Sequence, residues 1–277
     1  MLHQARRFKM TSIDKGIAVV TGASSGLGKV YADRLARRGY DLILVARRKD
    51  RLDEISQQLQ NKYEIKAETI SADLAQEDDL KKVGTVLSGN DRITLLVNNA
   101  GTAALKPSSE IPFDVIEQQL NLNAKAVSYL SLAVLPTFLE RNSGTLINIG
   151  SVLSFFALPF STSYSATKAH VMLFTLGLRD ELAKTGIRVQ LVLPASTGTE
   201  IWDVSGIGLH ALDPQTVMTA EDCVDAALAG LDQGETVTLP SVEDPSLWAA
   251  FDAARIKMMN ASQTKNPASR YKLLQRA

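Results

Sequence analysis

The chain has 277 residues, 45% of them apolar and 22% charged, which is material for one large α/β domain or two small ones with a full core. Thirty basic and thirty acidic residues cancel, so no global field marks the chain for nucleic acid or an anionic lipid surface. Its one cysteine, Cys223, excludes an internal disulfide and suits a reducing compartment, so a cytoplasmic location is expected.

Residues 1–13 carry basic side chains without the apolar centre of a signal peptide. They are expected to form a flexible extension, with Met10 an alternative start. No apolar run approaches the length of a membrane span, and no membrane association is expected. No metal site is expected either. Residues 14–242 read as one domain, and 243–277 as a C-terminal helix and tail of that same domain.

Residues 17–21, IAVVT, predict a short buried strand. TGASSGLG follows at 21–28 and opens a helix through Ala32, Leu35 and Ala36 that ends at Gly39. Strand, glycine-rich turn and helix are the entry to a nucleotide-binding βαβ unit. Gly22 permits a tight turn, Gly26 a close approach of the backbone to a pyrophosphate, and Gly28 close packing of the helix on the strand. Ser24, Ser25 and Leu27 complete the turn. The free N–H groups of the helix N-terminus suit phosphates.

The second strand is DLILVA, 41–46. Sites for unphosphorylated NAD end this strand in an acidic residue that holds the ribose 2′-hydroxyl. Here Ala46 is followed by Arg47 and Arg48, two guanidiniums suited to a 2′-phosphate, which argues for NADP(H). Arg47 is expected to carry more of this role, with Arg48 the better candidate for a merely solvated residue. A polar helix over 50–62 leads to a third strand near 65–71 and then to Asp73 and Leu74. Asp73 suits either a hydrogen bond from an adenine amino group or the N-cap of the next helix. The strand ITLLVN then runs into Asn98, Asn99, Ala100 and Gly101, small residues for a close ligand approach and amides that tie backbones together.

A helix is predicted from Pro112 to about Glu140, with Asn123 an unfavourable residue in its middle. The strand TLINIGS, 145–151, ends at Ser151, where open α/β sheets place ligands. A further helix carries Tyr164 and Lys168 one turn apart on one face. In isolation that pair reads better as two surface residues of an amphipathic helix. The strand IRVQLVLP, 187–194, ends at Pro194. An irregular stretch follows from 195 to about 218 and contains Thr197 and Thr199; a loop of this length in a compact domain is usually functional. A helix near 220–232 and the strand ETVTLP close the pattern. About seven strands alternate with helices, which predicts a single doubly wound Rossmann-type parallel sheet with helices on both faces.

TGASSGLG, NNAG, Ser151 thirteen residues before Tyr164, and YSATK stand in order on the expected elements. Together they resemble the short-chain dehydrogenase/reductase family, NADP-preferring branch, over roughly residues 14–240. The resemblance implies that Tyr164 is the general acid in reduction and the general base in oxidation. Lys168 would lower the tyrosine pKa and hold the nicotinamide ribose. Ser151 would hydrogen-bond the substrate oxygen, and Asn123 would hold a water linking Lys168 to solvent. Asp73 would contact the adenine, Asn99 to Gly101 would lie near the adenosine ribose, and Thr199 would contact the cofactor, with Thr197 a rival. Hydride would pass between the nicotinamide and a carbonyl carbon. Two departures stand out. Ala195 follows Pro194 where the family usually has glycine, and Ser25 stands where a basic residue precedes the second glycine in many NADP-binding members.

The segment after Ser151 and the 195–218 stretch supply Leu153, Phe155, Phe156, Ile201 and Trp202, together with Leu158, Phe160, Val204, Ile207 and Leu209. This apolar set favours a hydrophobic ketone, aldehyde or alcohol. Reduction of a 3-oxoacyl thioester is the alternative; an acyl-carrier substrate would call for a basic patch, and none stands out. A non-catalytic NADP-binding regulator is a further reading, although the full tyrosine, lysine and serine set speaks against it. The helices at 112–140 and 162–184 resemble the family's dimer-forming pair, so a homodimer or homotetramer is expected, with neither nucleic acid nor membrane as partner.

Overall fold

The computed structural model describes residues 15–271, which fall into two compact units, one ending at Ser241 and the other beginning at Val242. The expected flexible extension, residues 1–13, lies outside the described residues.

The first unit is built on a sheet of seven parallel strands in the order β3-β2-β1-β4-β5-β6-β7. The strands are β1 (Ile17–Thr21), β2 (Asp41–Ala46), β3 (Ala67–Ser71), β4 (Ile93–Asn98), β5 (Gly144–Ile149), β6 (Ile187–Val192) and the short β7 (Val237–Thr238). Parallel strands require covered faces, so their sequences are apolar on both sides. β1 shows how this works. Ala18 and Val20 pack with α1 (Gly26–Arg37), α2 (Lys49–Tyr63) and α8 (Ala220–Asp232). Ile17 and Val19 point the other way, into a second core with α3 (Glu77–Gly89), α5 (Ala126–Glu140) and α6 (Thr162–Glu181). The order of the strands reverses direction at β1 and β4, and an open α/β sheet takes its ligand outside the strand ends at such a switch.

The helix predicted from Pro112 is α4 (Phe113–Gln119) and α5, joined by a π-turn over Leu120–Lys125. The resulting 28-residue helix is long and apolar enough to cross a membrane by length and composition, which corrects the expectation that nothing in the chain approaches a span. The asparagines break the apolar pattern in sequence but not the helix in space. Half of the apolar stretch is buried within the fold, as in a core helix. Other boundaries differ less. β5 ends at Ile149, so Ser151 already lies beyond the strand. The stretch 195–218 is more ordered than its glycines suggest: it holds α7 (Ile201–Ser205) and a bridge between Thr197 and Met218. In the second unit, α9 (Ser246–Ser262) matches the predicted C-terminal helix.

Candidate active site

The ends of β1, β4, β5 and β6 open into one cleft of about 580 Å³, and Gly22, Asp73, Asn99, Ser151, Tyr164 and Pro194 all line it. On its floor the glycine-rich turn runs as predicted. Gly22 and Gly26 adopt φ of +67° and +51°, conformations that other L residues rarely take. A side chain at Gly28 would drive into the Gly22 carbonyl and the Asn99 amide, so this glycine is required by packing of α1 against the strand ends. NNAG ties these ends together. The Asn99 side chain donates to the Thr21 carbonyl at 2.9 Å, and the N–H groups of Asn99 and Ala100 donate to the Thr21 hydroxyl at 2.9 and 3.0 Å. Asn98 is turned away from the cleft, donating to Ser131 and Asn148 in the core.

At the end of β2 the two arginines differ in their contacts. Arg48 donates to the Ser24 hydroxyl at 3.1 Å, to the Ser25 hydroxyl at 2.8 Å and to the Glu200 carboxylate at 2.7 Å. Arg47 is exposed at the cleft margin and its side chain makes no hydrogen bond or ion pair among the described residues. Ser25 thus replaces a basic residue with a hydroxyl that holds one. Asp73 does not cap α3, whose N-cap is Gln76. Its carboxylate accepts from the Ala75 N–H at 3.1 Å, and it lines the cleft with Leu74. Ala195 costs nothing in backbone strain: among the described residues only Glu64 and Asn142 combine a side chain with positive φ. Of the two threonines, Thr197 turns its hydroxyl to the Ala195 carbonyl at 3.1 Å, whereas Thr199 lies against Gly26. Thr199 is therefore the one placed over the glycine-rich turn.

Ser151 is the N-cap of a short 3-10 turn, Val152–Ser154. Its hydroxyl oxygen accepts the Leu153 N–H at 3.1 Å, and the Ser154 hydroxyl accepts the Ser151 N–H at 3.2 Å. With its oxygen engaged, Ser151 has its O–H to offer as a donor. Tyr164 and Lys168 lie one turn apart on α6, with the ammonium 5.8 Å from the centre of the tyrosine ring. Lys168 is buried and donates to the Ile149 carbonyl at 2.9 Å. Desolvation presses its pKa down to about 8. Desolvation also pushes the Tyr164 phenol up to about 12, against a smaller opposing pull from the Ser151 hydroxyl. Burial is the larger of these two influences on the free phenol. The free phenol therefore keeps its proton at neutral pH.

Asn123 is fully buried in the π-turn. Its carbonyl oxygen accepts the Thr102 N–H at 2.9 Å, and its amide donates to the Thr102 carbonyl at 2.8 Å and the Thr167 hydroxyl at 3.0 Å. Both amide hydrogens are thus engaged by the protein, which fixes the side chain beside Lys168.

Leu153, Ile201 and Trp202 line the cleft as predicted, but Phe155 and Phe156 do not. The 3-10 turn after Ser151 swings them outwards, and Phe156 is 61% exposed. Leu158, Phe160, Val204 and Ile207 line the cleft as expected, whereas Leu209 is exposed outside it and Leu212 from the 195–218 lid joins the wall instead. Sequence reasoning missed Leu105 and Ser205. The Leu105 N–H donates to the Ser205 carbonyl at 2.6 Å and fastens the lid to the loop after β4.

The family model described as short chain dehydrogenase matches residues 16–206. The chain is a member of the short-chain dehydrogenase family. Among relatives of this dehydrogenase, the very-long-chain 3-oxoacyl-CoA reductase-B of Danio rerio is 37% identical over 209 residues, which are 74% of this chain and 67% of that protein. The very-long-chain 3-oxoacyl-CoA reductase of Homo sapiens is 36% identical over 203 residues, covering 72% and 65%. The dehydrogenase thus spans about two thirds of the length of these curated relatives. Two solved structures match it along nearly its whole length. A short-chain dehydrogenase from Sphingobium yanoikuyae, in complex with NADPH, superposes with a TM-score of 0.89 at 41% identity, covering 92% of this chain and all of that one. The bulky-bulky ketone specific alcohol dehydrogenase from Comamonas testosteroni gives 0.86 at 37% identity, covering 94% and 99%.

Proposed function

We propose that this protein is an NADP(H)-dependent oxidoreductase that interconverts a hydrophobic ketone and its secondary alcohol, with a 3-oxoacyl thioester as the substrate class. The observation that carries the reading is the juxtaposition of Ser151 and Tyr164 with an apolar wall in one cleft. A free ketone with two large substituents is the second reading. The vertebrate 3-oxoacyl-CoA reductases favour the first, and the near full-length match to the Comamonas enzyme favours the second. Both are ketones flanked by bulk, and the wall suits either.

The residues present fit the cofactor. Three glycines leave room at the turn, the N-terminus of α1 faces the cleft, and Arg48 with Ser24 and Ser25 forms a cationic, hydroxyl-lined corner for a 2′-phosphate. Bound there, NADPH supplies the hydride. Ser151 donates its O–H to the substrate oxygen and stabilises the negative charge that develops on it. Tyr164, neutral at physiological pH, gives that oxygen its phenolic proton. Lys168 offers a positive charge behind the phenol, which favours the phenolate left after transfer. In the oxidative direction Tyr164 takes the proton back.

The test is kcat/KM with NADPH and with NADH over 3-oxoacyl-CoA thioesters of increasing chain length and over diaryl and other doubly bulky ketones. Rising kcat/KM with acyl length supports the thioester reading. Activity confined to free ketones supports the second, and no turnover of either class removes both. The reading extends to self-association through the α4–α5 helix and α6, where Leu132, Leu139 and Leu173 stand about half exposed; a monomer in light scattering would refute it.

A further inference from the structure

Glu200 closes a cation–anion contact that the cofactor reading leaves unexplained. It stands just before α7, and its two carboxylate oxygens each accept from a different guanidinium, Arg48 at 2.7 Å and Arg51 at 2.7 Å. Arg48 is the residue that also holds the Ser24 and Ser25 hydroxyls at the phosphate corner. The chain thus brings a carboxylate from 152 residues away to the group best placed to bind a phosphate. All three partners are open to water, at 42%, 47% and 50% exposure for Arg48, Glu200 and Arg51. An ion pair so exposed is weak and exchanges easily. A 2′-phosphate carries more charge than a carboxylate and offers more acceptor oxygens to a guanidinium. A second anion beside Glu200 is repelled unless the carboxylate gives way.

We propose that Glu200 is an internal competitor for the 2′-phosphate of NADP(H). In the free protein its carboxylate occupies Arg48. A phosphorylated cofactor displaces it, whereas NAD(H), lacking that phosphate, leaves the pair in place. Glu200 therefore lowers affinity selectively for the phosphorylated cofactor.

The inference rests on the NADP(H) reading, and the test separates the two. Isothermal titration with adenosine 2′,5′-bisphosphate and adenosine 5′-monophosphate measures the phosphate corner without turnover. In Glu200→Gln and Glu200→Ala, bisphosphate binding is expected to tighten by about 1.5- to fivefold, the span of an exposed ion pair, with monophosphate binding nearly unchanged. The gain should shrink with added salt and vanish in the background of Arg48→Ala. Weaker bisphosphate binding in both variants would show that Glu200 clasps the ligand, and equal tightening of both nucleotides would show a general charge effect; either overturns the proposal. A wild-type protein that does not prefer the bisphosphate refutes the NADP(H) reading itself. A wild-type preference that both Glu200 variants leave unchanged refutes only the competitor.

Discussion

Replacing Lys168 by methionine is expected to stabilise the free protein while abolishing its activity. Lys168 is only 5% exposed, and desolvation lowers its pKa from 10.5 to about 8. At 1.36 kcal/mol per pH unit, that drop corresponds to about 3 kcal/mol by which the charged form is disfavoured in the fold at neutral pH. Methionine has a similar length and carries no charge. Its cost is the lost hydrogen bond to the Ile149 carbonyl, on the order of 1–2 kcal/mol. The net gain is about 1–2 kcal/mol, or a rise of about 4 °C in Tm for a domain of this size. The sign has a pH signature. Below about pH 8 the lysine is charged in both folded and unfolded chains, and the whole penalty applies. Between about 8 and 10.5 the folded protein has released the proton and the unfolded chain has kept it, so wild-type stability rises with pH. The advantage of Lys168→Met is therefore largest near pH 7 and is lost towards pH 10.5. Urea unfolding of both proteins at pH 7, 9 and 10.5 measures the difference directly. A variant less stable than wild type at pH 7, or a difference that does not change with pH, would refute the reasoning.

Tyr164→Phe is expected to lower turnover by about 10²–10⁴-fold while NADPH still raises the melting temperature; turnover retained within tenfold would sink the assignment of the proton donor. Ser151→Ala should cost about 10²–10³-fold in kcat and about 1 kcal/mol of stability, because the Leu153 N–H loses its acceptor; kinetics and chemical denaturation on the same variant check both. Arg48→Ala should lower the NADPH-over-NADH preference by about tenfold and Arg47→Ala by less, given the hydroxyl contacts that Arg48 alone makes; the reverse order in a two-cofactor titration would restore Arg47 to the principal role.

The residues that local geometry constrains were legible in the chain. Gly22 and Gly28 can be read from TGASSGLG because a sharp turn and a close helix leave no room for a side chain, and the structure gives that reason. Tyr164 and Lys168 could be paired because a helix puts residues four apart on one face. Residues whose partners are remote in sequence were not legible. Asn123 looked like a misfit in a helix; its reason is a pair of threonines 21 and 44 positions away. Glu200 is 152 positions from Arg48, and no local pattern pairs the two. Phe155 and Phe156 were misread because aromatic content was taken as the sign of a wall. A usable signal was present: Ser151 and Ser154 have the spacing of a capping box, which predicts a tight turn there and a change in the direction of the chain after it.

The π-turn explains how proton chemistry and substrate shape are held in one register. A π-turn inserts one residue into a helix and rotates the succeeding turns about the axis, and such turns recur at functional sites. Here it points the Asn123 amide at Thr102 on one side and Thr167 on the other, next to Lys168. Thr102 begins the loop whose Leu105 N–H holds the Ser205 carbonyl. The Ser205 hydroxyl in turn accepts the Ile207 N–H at 3.1 Å and has the carbonyls of Trp202 and Ile207, at 3.0 and 2.9 Å, as acceptors for its single proton. Asn123 and Ser205 are both buried, so water does not compete for these bonds. An apolar wall alone fixes position poorly, because dispersion contacts have no direction. The hydrogen bonds of Asn123 and Ser205 supply that direction along the wall of the cleft that Tyr164 also lines.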